Sequence, residues 1–238
     1  MKIEDVINLA KKRGAKTVAV ACCQDKEVLL AVENARKEGI INAILVGDID
    51  KTKQIAESLN ISLENYKLID ISYLSEACLK AVQLVSEGSA DIVMKGLVDT
   101  SIILKAVLNK EIGLRTGNVL SHTGVFHVEG YDKLFFITDA AMNIDPDLNT
   151  KKQIIQNAVK LARALDIDEP KVAVLCAKEK VNPKMPDTVD AKELEEMNKK
   201  GEIKDCIVGG PFALDNAISE EAAKHKGIDH PVAGKADI

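Results

Sequence analysis

Tryptophan is absent from this sequence, and only three tyrosines and four phenylalanines stand among its 238 residues. A core built from it must be aliphatic, and the stacking platforms that single-stranded nucleic acid uses are not available in number. Basic charge is short as well. The formal net charge is −5, whereas a nucleic-acid partner calls for a basic surface. The five cysteines, Cys22, Cys23, Cys78, Cys176 and Cys206, include no pair spaced as zinc ligands are. An odd count without a secretory leader suits reduced thiols in a cytoplasm. The opening MKIEDVINLAKKRG has acids early and bases late and lacks the apolar run of a leader. No apolar stretch approaches the roughly 18 residues that span a bilayer. A soluble cytoplasmic protein with neither a membrane nor a nucleic-acid partner is expected.

Glycine is missing where a dinucleotide site would need it. The first strand-to-helix turn, CCQDKE, has none, and backbone cannot then approach a pyrophosphate closely. A Rossmann-type nicotinamide dehydrogenase is disfavoured. A phosphate-binding P-loop is missing too, since Gly234-Lys235 lacks the preceding glycine at the required spacing.

What is present is a regular alternation. KTVAVAC, AILVGD, YKLID and DIVMKG read as strands, each followed by an apolar pattern at helical spacing. Strands that are continuously apolar in βαβα order imply a mostly parallel sheet covered on both faces. The rhythm changes near residue 117, where NVLSHTGVFHVEGYDKLFFITDA predicts an antiparallel hairpin around EGYDK. Alternation then resumes with a helix over 150–165, strand KVAVLC, a helix over 188–199, strand CIVGG and a helix over 214–225. Two α/β lobes, 1–124 and 125–238, are expected. HPVAGKADI reads as the opening of a further buried strand, so a longer natural protein is expected.

Residues 91–110 form the sharpest local constellation. A buried strand over Asp91–Met94 leads through Lys95-Gly96 into a helix capped by Thr100 or Ser101. The free N–H groups of that end, together with Lys95 and Lys105, would suit a phosphate; Lys105, one turn in, opposes the dipole unless an anion is near. A solvated lysine and an ordinary cap suit the same residues. In SHTG, Ser121, His122 and Thr123 place polar groups in an apolar strand, as cleft lining or as satisfied strand residues. Asp139, Asn143 and Asp145 follow the strand KLFFI, at the end where α/β sheets bind ligands. Asp139 is there as an orienter of loops, and Asp145 with Asp147 is conceivable as a magnesium site, with Asp147 better read as a cap. The loops VNPKMPDT and GGPFALDNAIS offer Asn182, Lys184, Gly210 and Asp215, as site residues or as turn geometry. Cys176 and Cys206 read as inert fillers of buried strands.

ADIVMKGLVDT, LNKEIGLRTG, SHTGVF, LFFITDAAMN, NPKMPDT, IKDCIVGGPFALDNAISEEAAKHKG and VAGKADI, in that order, resemble the phosphate acyltransferases, and within them the phosphate butyryltransferases. The resemblance runs through the whole chain. It implies a two-lobed three-layer α/β/α fold of the isocitrate and isopropylmalate dehydrogenase kind, and a homo-oligomer built from dimers. The implied reaction is reversible: butyryl-CoA and phosphate give butyryl phosphate and CoA in a ternary complex, by direct displacement. CoA is a substrate, and no cofactor or metal is implied. The matching motifs mark Lys105 and Asp139 as catalytic. They mark Lys95, Gly96, Thr100, Ser101, Arg115, Ser121, His122, Thr123, Asn143, Asp145, Lys184 and Gly210 as phosphate- or CoA-binding. In similar acetyltransferases an arginine stands at the place of Lys105 and a cysteine at that of Ala140, so no covalent cysteine route is implied. The family's serine-arginine loop, with an aspartate proposed as base for the CoA thiol, lies beyond residue 238. A superfamily hydroxy-acid dehydrogenase and a non-catalytic acyl-CoA binder are the alternatives.

Overall fold

The structure, a computed structural model, describes residues 2–238. The chain divides into two compact units, Ile7–Gly117 and Asn118–Ile238, the second joined by the residues up to Val6.

After α1 (Ile3–Arg13), the first unit holds β1 (Lys16–Ala21), α2 (Lys26–Lys37), β2 (Ile41–Gly47), α3 (Ile49–Ser58) and a short 3₁₀ turn at Leu63–Asn65. β3 (Lys67–Asp70), α4 (Leu74–Ser86), β4 (Ile92–Lys95) and α5 (Thr100–Val107) complete it. The sheet is parallel throughout, in the order β3-β2-β1-β4. Alternation along each strand sorts the core into two layers. Val18, Val20, Ala43 and Leu45 pack with Leu29 and Val32 of α2 and Ala56 of α3. Ala19, Ala21, Ile44 and Val46 pack with Ala77 and Ala81 of α4 and Ile103 of α5. The unit is therefore a three-layer α/β/α sandwich. Helices start where carboxylates cap them: Asp25 accepts from the Val28 N–H and Asp48 from that of Lys51, both at 3.0 Å.

β4 differs from expectation. It runs one residue later, over Ile92–Lys95, and is half exposed, with Ile92 47% accessible. The reason is position: β4 is an edge strand with β1 on one side only.

The second unit opens with the expected hairpin, β5 (Thr123–Phe126) antiparallel to β6 (Phe135–Thr138). α6 (Leu148–Ala164), β7 (Lys171–Leu175), α7 (Pro186–Lys199) and β8 (Ile207–Phe212) follow, with β7 and β8 parallel. Val172 and Val208 meet Ile155 and Val159 of α6 and Leu194 of α7. Ala173, Ile207 and Phe212 face the other way, onto Ala217 and Ala223. Those two belong to α8 (Leu214–Ile218) and α9 (Glu220–His225), where a single helix was expected. The break is at Ser219, whose extended backbone (φ −122°, ψ 118°) ends α8 while its hydroxyl accepts the Ala222 N–H to start α9. Cys176 also departs from expectation: it lies just past β7 and is only half-buried.

Asp237 and Ile238 lie between β6 and β7. The Phe136 N–H donates to the Asp237 carbonyl (2.7 Å) and the Ala173 N–H to that of Ile238 (2.9 Å). Beside them runs a groove of about 360 Å³ whose walls are mostly aliphatic, including Ile154, Ile155, Val174 and Leu175.

Candidate functional site

In the first unit the strand order reverses between β1 and β4, because β2 and β3 are laid down on one side and β4 on the other. Parallel sheets bind ligands at the carboxyl ends flanking such a reversal. Two loops meet there. The Gly96 N–H donates to the Ala21 carbonyl (2.8 Å) and the Leu97 N–H to that of Cys22 (3.2 Å). Only glycine fits at 96, since a Cβ would stand 2.2 Å from the Cys22 oxygen and 2.5 Å from that of Ala21. Lys95 leans over this junction, its ammonium donating to the carbonyls of Val98 (2.8 Å) and Gly96 (3.3 Å). Cys22 is buried beside Cys78, and burial pushes its thiol up to about 12, so it is not a nucleophile near neutral pH.

The helix that follows corrects two expectations. Its N-cap is Asp99, which makes no side-chain cap bond, while Thr100 and Ser101 are exposed residues of the first turn. A carboxylate already stands at this end and competes with any added anion. The helix is eight residues long and Lys105 lies in its last turn, where a positive charge complements the dipole rather than opposing it.

The second unit gathers the other predicted residues more tightly. Asp139, directly after β6, accepts four hydrogen bonds. Its Oδ1 takes the N–H of His122 (3.1 Å) and of Met142 (3.3 Å), and its Oδ2 takes the Asn143 N–H (3.1 Å) and the Asn143 amide. Burial raises the carboxyl pKa, but these bonds outweigh it and hold the group below its usual range. Such a carboxylate is a poor proton acceptor and a good pin. Asn143 also donates to the Leu120 carbonyl (3.1 Å), so residues 120–122 and 142–143 are clamped to the end of β6.

Ser121 and His122 precede β5 rather than lying within it, which starts at Thr123. Their loop is tied to α6: the Asn157 amide donates to the Val119 carbonyl (3.0 Å) and to Ser121 Oγ (2.9 Å), and Gln153 accepts the Val119 N–H (3.0 Å). Thr138 closes the network by donating to the His122 carbonyl at 2.7 Å. Ser121, His122, Thr123, Asp139 and Asn143 are thus one hydrogen-bonded group at the loop ends of a hairpin.

Other expected residues fall outside it. Asp145 is exposed, and Asp147 caps α6 by accepting from the Thr150 N–H at 2.7 Å. Among the described residues no group of His, Cys, Asp and Glu is arranged to hold a metal ion. Lys184 is exposed in a turn, its N–H donating to Asn182 Oδ1 (3.0 Å). Gly210 is not in a loop, because β8 runs on to Phe212. A Cβ there would stand 3.0 Å from Val174 Cβ and 3.2 Å from Ala191 Cβ, so its small size serves strand-to-helix packing. Arg115 is exposed between α5 and the end of its unit.

Sequence reasoning passed over Thr138, Gln153 and Asn157. The two amides are four residues apart on one helix face, a spacing visible in QIIQNA, but nothing local says which loop they hold. It also passed over Lys151, which bonds Asp190 (2.7 Å) and Asp187 (3.1 Å).

The family model described as "Phosphate acetyl/butaryl transferase" matches residues 1–77 and 72–238. The chain is 51% identical to the phosphate butyryltransferase of Clostridium acetobutylicum, over 98% of this chain and 78% of that protein. It is 52% identical to that of Clostridium beijerinckii, over 99% of this chain and 78% of the relative. Among solved structures, the branched-chain phosphotransacylase from Enterococcus faecalis superposes with a TM-score of 0.80 at 35% identity, covering 94% of this chain and 78% of that one.

Proposed function

The chain belongs to the phosphate acetyl/butyryltransferase family, and from that membership we propose that it moves a short acyl group, butyryl by preference, reversibly between CoA and inorganic phosphate. It is a phosphate acyltransferase. The observation that carries the proposal is identity of 51–52% to two phosphate butyryltransferases along almost the whole chain.

The chemistry asks for little beyond binding and orientation. Two polyanions must be held so that a phosphate oxygen faces the thioester carbonyl, or the CoA thiolate faces the acyl phosphate. Phosphate charge must be met by donors fixed beforehand. The clamped loop carrying Ser121, His122 and Thr123 supports the second demand, because Asp139 and Asn143 hold its backbone rigid. Lys95, beside Gly96 at the strand-order reversal of the other unit, supports a further anion contact there through its ammonium. Lys105 and Arg115 supply additional positive charge in this proposal.

The bond that breaks is carbon–sulfur and the bond that forms is carbon–oxygen, with no change of oxidation state. No redox cofactor is therefore needed, and the proposal takes the route to be direct displacement without flavin, nicotinamide or metal. Asp139, with its oxygens occupied by N–H donors, orients the loop and does not take the thiol proton. We extend the proposal to a homo-oligomer assembled from dimers and a cytoplasmic location; no helix among the described residues is long and apolar enough to cross a membrane. Phosphate-dependent thiol release from butyryl-CoA by chelator-treated protein tests the reaction and the metal-free route together.

A further inference from the structure

We infer that Asn157, on α6, is a positioning residue that aims the Ser121 hydroxyl proton at the phosphoryl anion of the substrate; the inference rests on the acyltransferase reading above. Three hydroxyls stand in this loop group, those of Ser121, Thr123 and Thr138. Following where each proton goes separates them.

Asn157 Nδ2 donates to the Val119 carbonyl (3.0 Å) and to Ser121 Oγ (2.9 Å). A carbonyl only accepts, so the nitrogen and not the oxygen of the amide must face it, and this fixes the side chain's orientation. Both amide hydrogens are then used. Ser121 Oγ is the acceptor in its pair, and its own proton must point elsewhere. Thr138 Oγ1 donates to the His122 carbonyl (2.7 Å), which commits that proton. At 3.4 Å from Thr123 Oγ1, the Thr138 oxygen can only accept, so the Thr123 proton has an acceptor within the group, a long one, where that of Ser121 has none. Among the described residues no acceptor takes the Ser121 proton.

The arrangement is preorganised. Gln153, one helical turn before Asn157, accepts the Val119 N–H (3.0 Å), so two amides of α6 grip the residue two before Ser121. From the other side Asn143 holds the Leu120 carbonyl (3.1 Å) and Asp139 the His122 N–H (3.1 Å). A donor whose oxygen is fixed and whose proton is left over meets a phosphoryl oxygen without reorganisation. Hydrogen bonds to an ionised acceptor are roughly twice as strong as neutral ones. Without the Asn157 amide, the Ser121 hydroxyl is free to turn its proton onto a neighbouring carbonyl.

A double-mutant cycle tests this with wild type, Ser121→Ala, Asn157→Leu and the double variant. The apparent KM for phosphate is read in thiol release from butyryl-CoA, alongside kcat and Tm. Each single change is expected to raise that KM about tenfold, as for one lost hydrogen bond to a charged group. The double variant should match Ser121→Ala, because Asn157 acts through Ser121. A merely structural Asn157 would lower Tm in both backgrounds and leave the phosphate KM alone. Independent effects, about 100-fold together, or an unchanged KM in Asn157→Leu, would overturn the inference. Should Asn157→Leu fold poorly, Asn157→Asp gives a second reading. Its carboxylate accepts the Ser121 proton, so the KM should rise at least as far as in Ser121→Ala. An Asn157→Asp enzyme with wild-type KM counts against us equally. Calorimetric titration of the same proteins with inorganic phosphate reads the cycle without turnover. A coupled cycle in a protein that does not turn over would sink the acyltransferase reading and leave this inference standing. Turnover with additive effects would sink this inference alone. A wild type that neither binds phosphate nor turns over would overturn both.

Discussion

Replacing Asp139 by asparagine changes one oxygen for an NH₂ group and leaves the volume unaltered. Each carboxylate oxygen accepts two N–H donors, Oδ1 from His122 and Met142 and Oδ2 from the backbone and side chain of Asn143. Whichever way the new amide turns, two donors lose their acceptor and the other two face a neutral oxygen. A hydrogen bond to a charged group contributes about 1.5–3 kcal/mol. Asp139 is half-buried, and water can reach part of the gap. The expected cost of Asp139→Asn is therefore about 2–3 kcal/mol rather than the full sum for two bonds. In a unit of this size that lowers Tm by roughly 6–12 °C. Thermal unfolding followed by circular dichroism measures it, with the phosphate KM of the folded variant as a second readout. The sign with pH follows from the depressed carboxyl pKa. Asp139 contributes its stability above the ordinary aspartate pKa, and the contribution is lost as pH falls through the lower folded value. Wild type and variant should converge in acid. A Tm within about 2 °C of wild type at pH 7, together with an unchanged phosphate KM, would refute the view of Asp139 as the pin of this loop.

Gly96→Ala places a methyl group 2.2 Å from the Cys22 carbonyl oxygen, so the two loops at the strand-order reversal must part. A cost of about 1–3 kcal/mol is expected, measured by urea unfolding, whereas Gly88→Ala, with open space around it but φ +76°, reports backbone strain alone. Glu33 bonds Arg36 and Tyr66, and the Arg36 guanidinium is the main cause that holds its carboxyl down to about 2. Its contribution is complete above the ordinary glutamate pKa and disappears as pH falls towards 2. Glu33→Gln should cost about 2–3 kcal/mol at pH 7 and flatten the acid limb of the stability profile; an unchanged acid limb would remove Glu33 from that role.

Much of the architecture was legible because hydrophobic periodicity reports burial directly. Strands such as TVAVA and AILVG are apolar on both faces and could only be inner strands of a covered sheet. The hairpin at SHTGVF and LFFIT declared itself by two β-rich runs around a polar turn. Helix ends were harder. Thr100 and Ser101 were good cap residues, but the backbone turns helical one residue earlier, after Asp99, and the helix already ends at Val107, so Lys105, one turn in, stands in its last turn. Ser219 is the opposite case, a cap residue hidden inside an apolar pattern that looked continuous. Gly210 resembled a loop glycine, yet the packing of Val174 and Ala191 around it belongs to a strand. Within the candidate site Asp139 stood out by its place at a strand end, while Asn157 did not. Its role depends on bonds to residues 36 and 38 positions away, which no local pattern encodes.

Butyryl-CoA is mixed with the purified, chelator-treated protein, and free thiol is followed with and without inorganic phosphate. Thiol should appear only when phosphate is present, with butyryl phosphate formed in equal amount, and the reverse mixture of butyryl phosphate and CoA should consume thiol. Thiol release that ignores phosphate, or none in either direction, would contradict the assignment of this chain as a phosphate acyltransferase.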